Sequence, residues 1–146
     1  MKIYTIGFTQ KNAKEFFGTL NQNNVNLLID IRANPKGQLS GFAKKEDLPY
    51  LLDKLNNHCK YIHLPVLTPT KELLKTYRLD KNWSSYSNNF EKLMDERHVP
   101  EVLDELLFKT NQVCLLCSEV SAEKCHRRLV AERLSKIWAD FEVIHL

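Results

Sequence analysis

Short apolar runs alternate with amphipathic segments from one end of this chain to the other, and that alternation restricts the folds open to it. The runs are Ile3–Ile6, Leu27–Ile31, Tyr61–Leu64, Gln112–Cys117 and Phe141–Ile144. The second and fourth are almost unbroken apolar stretches, the pattern of strands covered on both faces. Between them lie helical patterns. Asn12 and Glu15 form a capping-box start for a helix with Ala13, Phe16, Phe17 and Leu20 on one face. Leu48, Leu51, Leu52 and Leu55 mark a second helix, and Thr70 caps a third carrying Leu73, Leu74 and Tyr77. Trp83, Tyr86, Phe90, Leu93 and Met94 repeat at helical spacing as a core-facing stripe, and Pro100 opens a further stretch with Leu103, Leu106 and Leu107. The last helix carries Val130, Leu134, Ile137 and Trp138. Buried strands joined by helices predict an α/β fold: a three-layer α/β/α sandwich around a mostly parallel sheet of about five strands, with right-handed crossovers.

At 146 residues, with no repeat and no low-complexity linker, the chain reads as a single α/β domain spanning 1–146. A net charge of +3 is too small to imply a nucleic-acid partner by itself. No apolar run approaches the ~20 residues that cross a bilayer, so no membrane partner is expected. The first residues enter a strand directly, which predicts no signal peptide. Cys59, Cys114, Cys117 and Cys125 are irregularly spaced, which predicts reduced thiols and a cytoplasmic location. No cofactor motif is present, and the pattern sets no oligomeric state.

In a parallel sheet all strand carboxyl ends share one rim. Here those ends carry Gly7-Phe8, Asp30-Ile31-Arg32, His63-Leu64-Pro65 and Cys117-Ser118-Glu119. Polar and reactive groups far apart in sequence therefore gather where open α/β sheets bind ligands. Asp30 and Arg32, two apart on a strand, share a face and make either a local ion pair or a ligand contact. His63 in an apolar strand is a hydrogen-bonded core residue or a site member. Gly7 is a turn glycine or lets a ligand approach the backbone.

The densest segment is Cys117-Ser118-Glu119-Val120-Ser121-Ala122-Glu123-Lys124-Cys125-His126-Arg127, a strand-to-helix connection. Counting back from Val130 and Leu134 puts Arg127 on the inward stripe of the last helix, while Arg128 points about 100° away and can pair with Glu132. An inward guanidinium at a helix amino terminus is a receptor for phosphate or carboxylate, or else a counter-charge to Asp30 or Glu119. Cys117, near His126 and a helix amino terminus, is a candidate nucleophile. Cys125 and His126 with Cys117 also offer zinc ligands, but their spacing fits no standard zinc knuckle, so no metal is expected. Cys114, three before Cys117, faces the opposite side of its strand.

These residues carry a resemblance. Tyr4-Thr5-Ile6-Gly7, Leu28-Ile29-Asp30-Ile31-Arg32 with Pro35, Phe42, Tyr61-Ile62-His63-Leu64, Leu115-Leu116-Cys117-Ser118-Glu119, Cys125-His126-Arg127 and the closing Val143-Ile144-His145-Leu146 resemble the bacterial and archaeal domain-of-unknown-function family number four hundred and eighty-eight. Phe8 stands where that family commonly has a histidine, and Leu67-Thr68-Pro69-Thr70-Lys71-Glu72 replaces a glycine-rich loop of many members. The resemblance implies the fold and the place of the site but no reaction. The Ile29-Asp30-Ile31-Arg32 strand is also similar to rhodanese-type sulfurtransferase domains, whose cysteine and arginine share a compact loop. Here Cys117 and Arg127 lie ten residues apart.

Two functional classes follow. The first is an anion-binding, catalytic pocket for a phosphorylated small molecule, a nucleotide or a nucleic-acid end. In it Cys117, Glu119 and His126 act on the substrate, and Gly7, Asp30, Arg32, His63, Cys125 and Arg127 bind it. The second is a non-catalytic nucleotide- or nucleic-acid-binding module, with lysines such as Lys71 and Lys75 on phosphates and Phe8, Phe42 or Trp83 stacking on bases.

Overall fold

The computed structural model describes residues 1–146, the side chain of Gln38 excepted. Its strands are β1 (Lys2–Gly7), β2 (Leu27–Asp30), β3 (Lys60–His63), β4 (Val113–Cys117) and β5 (Glu142–His145). Its helices are α1 (Ala13–Gln22), α2 (Leu48–Leu55), α3 (Lys71–Asp80), α4 (Trp83–Glu96), α5 (Glu105–Thr110) and α6 (His126–Trp138). Among the described residues the strands form one sheet in the order β3-β2-β4-β1-β5, and every pairing is parallel. The α/β sandwich expected from the hydrophobic periodicity is the fold of the molecule.

Alternation along each strand feeds two cores. Ile3, Leu27, Ile29, Val113 and Leu115 meet Phe90 and Met94 of α4, Phe108 of α5 and Val130 and Leu134 of α6 on one face. Tyr4, Ile6, Leu28, Cys114 and Leu116 meet Phe16, Phe17 and Leu20 of α1 and Leu48 and Leu52 of α2 on the other. The chain steps outward from β1 to β2 and β3 under α1 and α2, then returns to β4 and runs to β5 under the remaining helices. The neighbouring strands β2 and β4 thus send their outgoing loops to opposite faces, which opens a crevice between their carboxyl ends.

Local signals set several element starts. Asn12 and Glu15 close the capping box of α1, and the Thr70 side chain accepts from the Leu73 N–H at the start of α3. The fifth helix differs from expectation. It begins at Glu105 rather than at Pro100, because Asp104 accepts the N–H groups of Leu106 and Leu107 and so supplies the cap. Tyr86, Phe90 and Met94 form the buried stripe of α4, and Trp83 stacks on Tyr86 at 5.4 Å between centroids.

Candidate functional site

Register alone brings most of the rim together. Gly7 pairs with Cys117, while Asp30 lies opposite both His63 and Leu116, so β3, β2, β4 and β1 end side by side. The crevice between β2 and β4 widens into a cleft of about 510 Å³. The loop after β2 lines it with Arg32, Ala33 and Asn34. The loop after β4 contributes Cys117, Ser118 and Glu119, with Lys124, Cys125 and His126 at the start of α6. One wall is α3 with Lys71, Lys75, Tyr77 and Arg78, and Tyr86 of α4 stands beside it.

Asp30 is fully buried. Its carboxylate accepts Arg32 Nε at 2.9 Å, Arg32 Nη2 at 2.6 Å, the Arg32 N–H at 3.0 Å and the Tyr61 hydroxyl at 2.6 Å. Such a fork is rigid, because two of the three guanidinium nitrogens and both carboxylate oxygens are engaged. Arg32 is 2% exposed and its remaining Nη1 has no hydrogen-bond partner, while the Phe8 ring lies 5.2 Å from its guanidinium carbon. An aromatic ring thus packs on Arg32 where the resemblance leads one to look for a histidine.

On the cleft floor Cys125 Sγ donates to Cys117 Sγ at 3.1 Å, and His126 Nδ1 lies 3.6 Å from the same sulfur. His126 Nε2 is 2.8 Å from the Ile31 carbonyl. A carbonyl only accepts, so Nε2 carries a proton and Nδ1 faces the sulfur. The hydrogen bond from Cys125, against the effect of burial and joined by the charge of His126, holds the Cys117 thiol well below its ordinary value. The same Cys125–Cys117 contact, followed by burial, pushes the Cys125 thiol up. Burial lowers the affinity of His126 for its proton, yet the Cys117 charge and hydrogen bond and the Ile31 carbonyl together raise it. These directions favour a thiolate on Cys117 beside a protonated His126, with Cys125 keeping its proton as the donor. Cys114 packs in the opposite core, where burial drives its thiol up and leaves it inert.

The donor atoms of Cys117, Cys125 and His126 lie within 4.8 Å of one another, so these are the residues that could hold a thiophilic metal. Two thiolates on one tetrahedral zinc, at Zn–S of about 2.3 Å, stand about 3.7 Å apart. The two sulfurs here stand closer, at 3.1 Å.

The remaining candidates occupy other places. Glu119 is exposed at the cleft rim. His63 turns from the cleft, with Nε2 on the Arg32 carbonyl at 3.1 Å and Nδ1 near Lys45 Nζ at 3.3 Å. Arg127 is 1% exposed and lies behind the cleft, where Nη1 donates to the Glu119 carbonyl at 2.5 Å and Nη2 to that of Val120 at 3.3 Å. Gly7 is required there. A Cβ at this position would overlap the Glu119 carbonyl oxygen and lie 2.7 Å from Arg127 Nη1. Phe42 packs on Phe16 and Phe17 in the core.

Sequence reasoning passed over Tyr77, Tyr86, Arg78 and Lys124. The α3 wall did leave a signal: Lys71, Lys75 and Arg78 recur at i, i+4 and i+7, one helical face.

No curated protein and no solved structure matches this chain. A family model described as "Domain of unknown function DUF488" matches residues 12–134, taking in Asp30, Arg32, His63 and the Cys117–Arg127 connection but not Gly7. The match covers most of the chain, and the protein belongs to the DUF488 family.

Proposed function

We propose that the cleft binds an anionic, phosphorylated ligand and that Cys117 acts on it as a nucleophile. The observation that carries this reading is Arg32, a buried guanidinium among the residues lining the cleft, locked to Asp30 with one nitrogen left unpartnered. An unpaired buried donor is costly, and an anion in the cleft satisfies it. The surrounding charge agrees. Among the described residues lining the cleft, Arg32, Lys71, Lys75, Arg78 and Lys124 face one carboxylate, Glu119. Such a patch raises the local concentration of anions and their rate of arrival.

The chemistry follows from the floor. A Cys117 thiolate beside an imidazolium attacks an electrophilic atom carried near the anionic group, and His126 supplies a proton to the departing group from Nδ1. Glu119 at the rim is a second group able to exchange protons with solvent.

A nucleotide is favoured among such ligands by Tyr77, a half-buried ring lining the α3 wall against which a base can stack. The non-catalytic nucleotide-binding reading rests on that same surface. Thermal shift and calorimetry with pyrophosphate and with a nucleoside diphosphate test binding, and iodoacetamide labelling tests the nucleophile. We expect both anions to bind, the nucleotide more tightly, and Cys117 to be labelled first among the cysteines. Binding without any reactivity at Cys117 favours the non-catalytic module, and absence of binding by either anion refutes the proposal.

A further inference from the structure

A lone nucleophilic cysteine, acylated or phosphorylated and then released by water, does not require a second thiol against its sulfur. This site has one. Cys125 Sγ stands 3.1 Å from Cys117 Sγ, both residues are almost completely buried at 2% and 3% exposure, and both border the cleft. Cys125 is the residue capping α6 and makes no side-chain cap bond to that helix, so its sulfur is not engaged in holding the helix end. A ring nitrogen of His126 lies within 4.8 Å of both sulfurs, and Nδ1 stands 3.6 Å from that of Cys117.

We propose that the electrophilic atom of the ligand is sulfur: Cys117 attacks an anionic disulfide in the cleft, and Cys125 resolves the resulting mixed disulfide, leaving a Cys117–Cys125 bond. This inference rests on the reading of Cys117 as the nucleophile and assigns it a substrate class. In the first step the Cys117 thiolate forms a bond to one sulfur of the ligand. The S–S bond of the ligand breaks, and the departing thiolate takes the proton from His126 Nδ1. In the second step the thiol proton of Cys125 passes to the now neutral His126, and the Cys125 thiolate attacks Cys117 Sγ. The second half of the ligand leaves and is protonated in turn. One disulfide is reduced to two thiols and one protein dithiol is oxidised to a disulfide, with no other oxidant. The two protein sulfurs must close by about 1 Å to reach bonding distance, a movement of side chains at a strand end and a helix start rather than of packed core.

The surroundings select the carrier. Arg32, Lys71, Lys75, Arg78 and Lys124 favour a disulfide whose flanking groups are anionic, and the half-buried Tyr77 adds an aromatic ring in the same wall. Phosphates and carboxylates share that chemistry, so the probes separate them.

The test is a single-turnover reaction of the reduced wild-type protein with coenzyme A disulfide, which bears phosphates, glutathione disulfide, which bears carboxylates, and cystamine, which is cationic. Each rate is divided by the rate of the same probe with dithiothreitol, and the products are mapped by alkylation and mass spectrometry. The expected result is an intramolecular Cys117–Cys125 disulfide and two released thiols per protein, with Cys59 and Cys114 still alkylatable after unfolding. Both anionic probes should react at least tenfold faster than cystamine at low salt, within the range of electrostatic steering. The faster of the two identifies phosphate or carboxylate as the recognised group. In Cys125→Ser the reaction should stop at a mixed disulfide on Cys117, and in Cys117→Ser it should not start. Accumulation of the mixed disulfide in the wild-type protein overturns the inference while leaving Cys117 the nucleophile, because Cys125 is then only a hydrogen-bond donor to the thiolate. Failure of every probe, with pyrophosphate still bound and Cys117 still labelled by iodoacetamide, also overturns it and leaves the proposed function standing. Loss of pyrophosphate binding and of labelling together removes both.

Discussion

Replacing Arg127 by methionine tests whether this arginine braces the site or binds its ligand. The guanidinium is 1% exposed and meets two backbone carbonyls, at 2.5 Å from Glu119 and 3.3 Å from Val120, and it borders no part of the cleft. A hydrogen bond from a charged donor contributes about 1.5–3 kcal/mol, and the longer contact contributes less. Methionine keeps most of the volume and removes the burial of a cation whose Nε has no partner, which returns part of the loss. The net destabilisation should be about 2 kcal/mol, or a fall in Tm of about 4–8 °C for a domain near this size. Arg128→Ala removes a half-exposed pair with Glu132 at 2.8 Å and should change stability by less than about 1 kcal/mol. Urea denaturation of both variants measures the first quantity, and calorimetry with pyrophosphate measures affinity. Arg127→Met should bind pyrophosphate within about threefold of wild type, since a shift below ~0.7 kcal/mol is all that an indirect effect need transmit. A variant of unchanged stability that has lost binding tenfold or more would refute the bracing role and make Arg127 a ligand contact.

Gly7→Ala should destabilise by about 1–3 kcal/mol, read by urea denaturation, because the new Cβ overlaps the Glu119 carbonyl and crowds Arg127 Nη1. Pairing it with Arg127→Met should recover part of that loss, and strict additivity would show that the two do not share this space. The Cys117 thiol is held down by the Cys125 hydrogen bond and the His126 charge, so its alkylation should change little from about pH 9 to about pH 7, where a free cysteine of pKa ~8.5 slows about twentyfold. Because the folded value is the lower one, the linked stability is fully present above ~8.5 and is lost as the pH falls through the folded value, which urea midpoints of wild type and Cys117→Ser across pH should separate.

Element type and sheet direction were legible in the sequence because they rest on local periodicity. Apolar runs such as Leu27–Ile31 need cover on both faces, and with helices as the connections only parallel strands provide it. Parallel strands in turn bring Gly7, Asp30, His63 and Cys117 to one rim whatever the details of packing. Capping at Asn12 and Thr70 was readable for the same reason, since a cap and its N–H lie within one turn. The helical count also placed Arg127 on the buried face of α6 and Arg128 outside it. It did not say what a buried guanidinium meets. That depends on the path of the Ser118–Lys124 loop, which carries no periodic pattern and turns two carbonyls toward Arg127. The same path decides that Cys125 returns to within 3.1 Å of Cys117, a contact that the spacing in sequence did not specify. The basic face of α3 is a repeat written in the chain, but only the crossover from β3 to β4 sets that face against Arg32 and the two thiols. Periodicity sets which side of an element is buried. Which buried group meets which partner is settled by loops and crossovers, whose geometry comes from the packing of the whole chain.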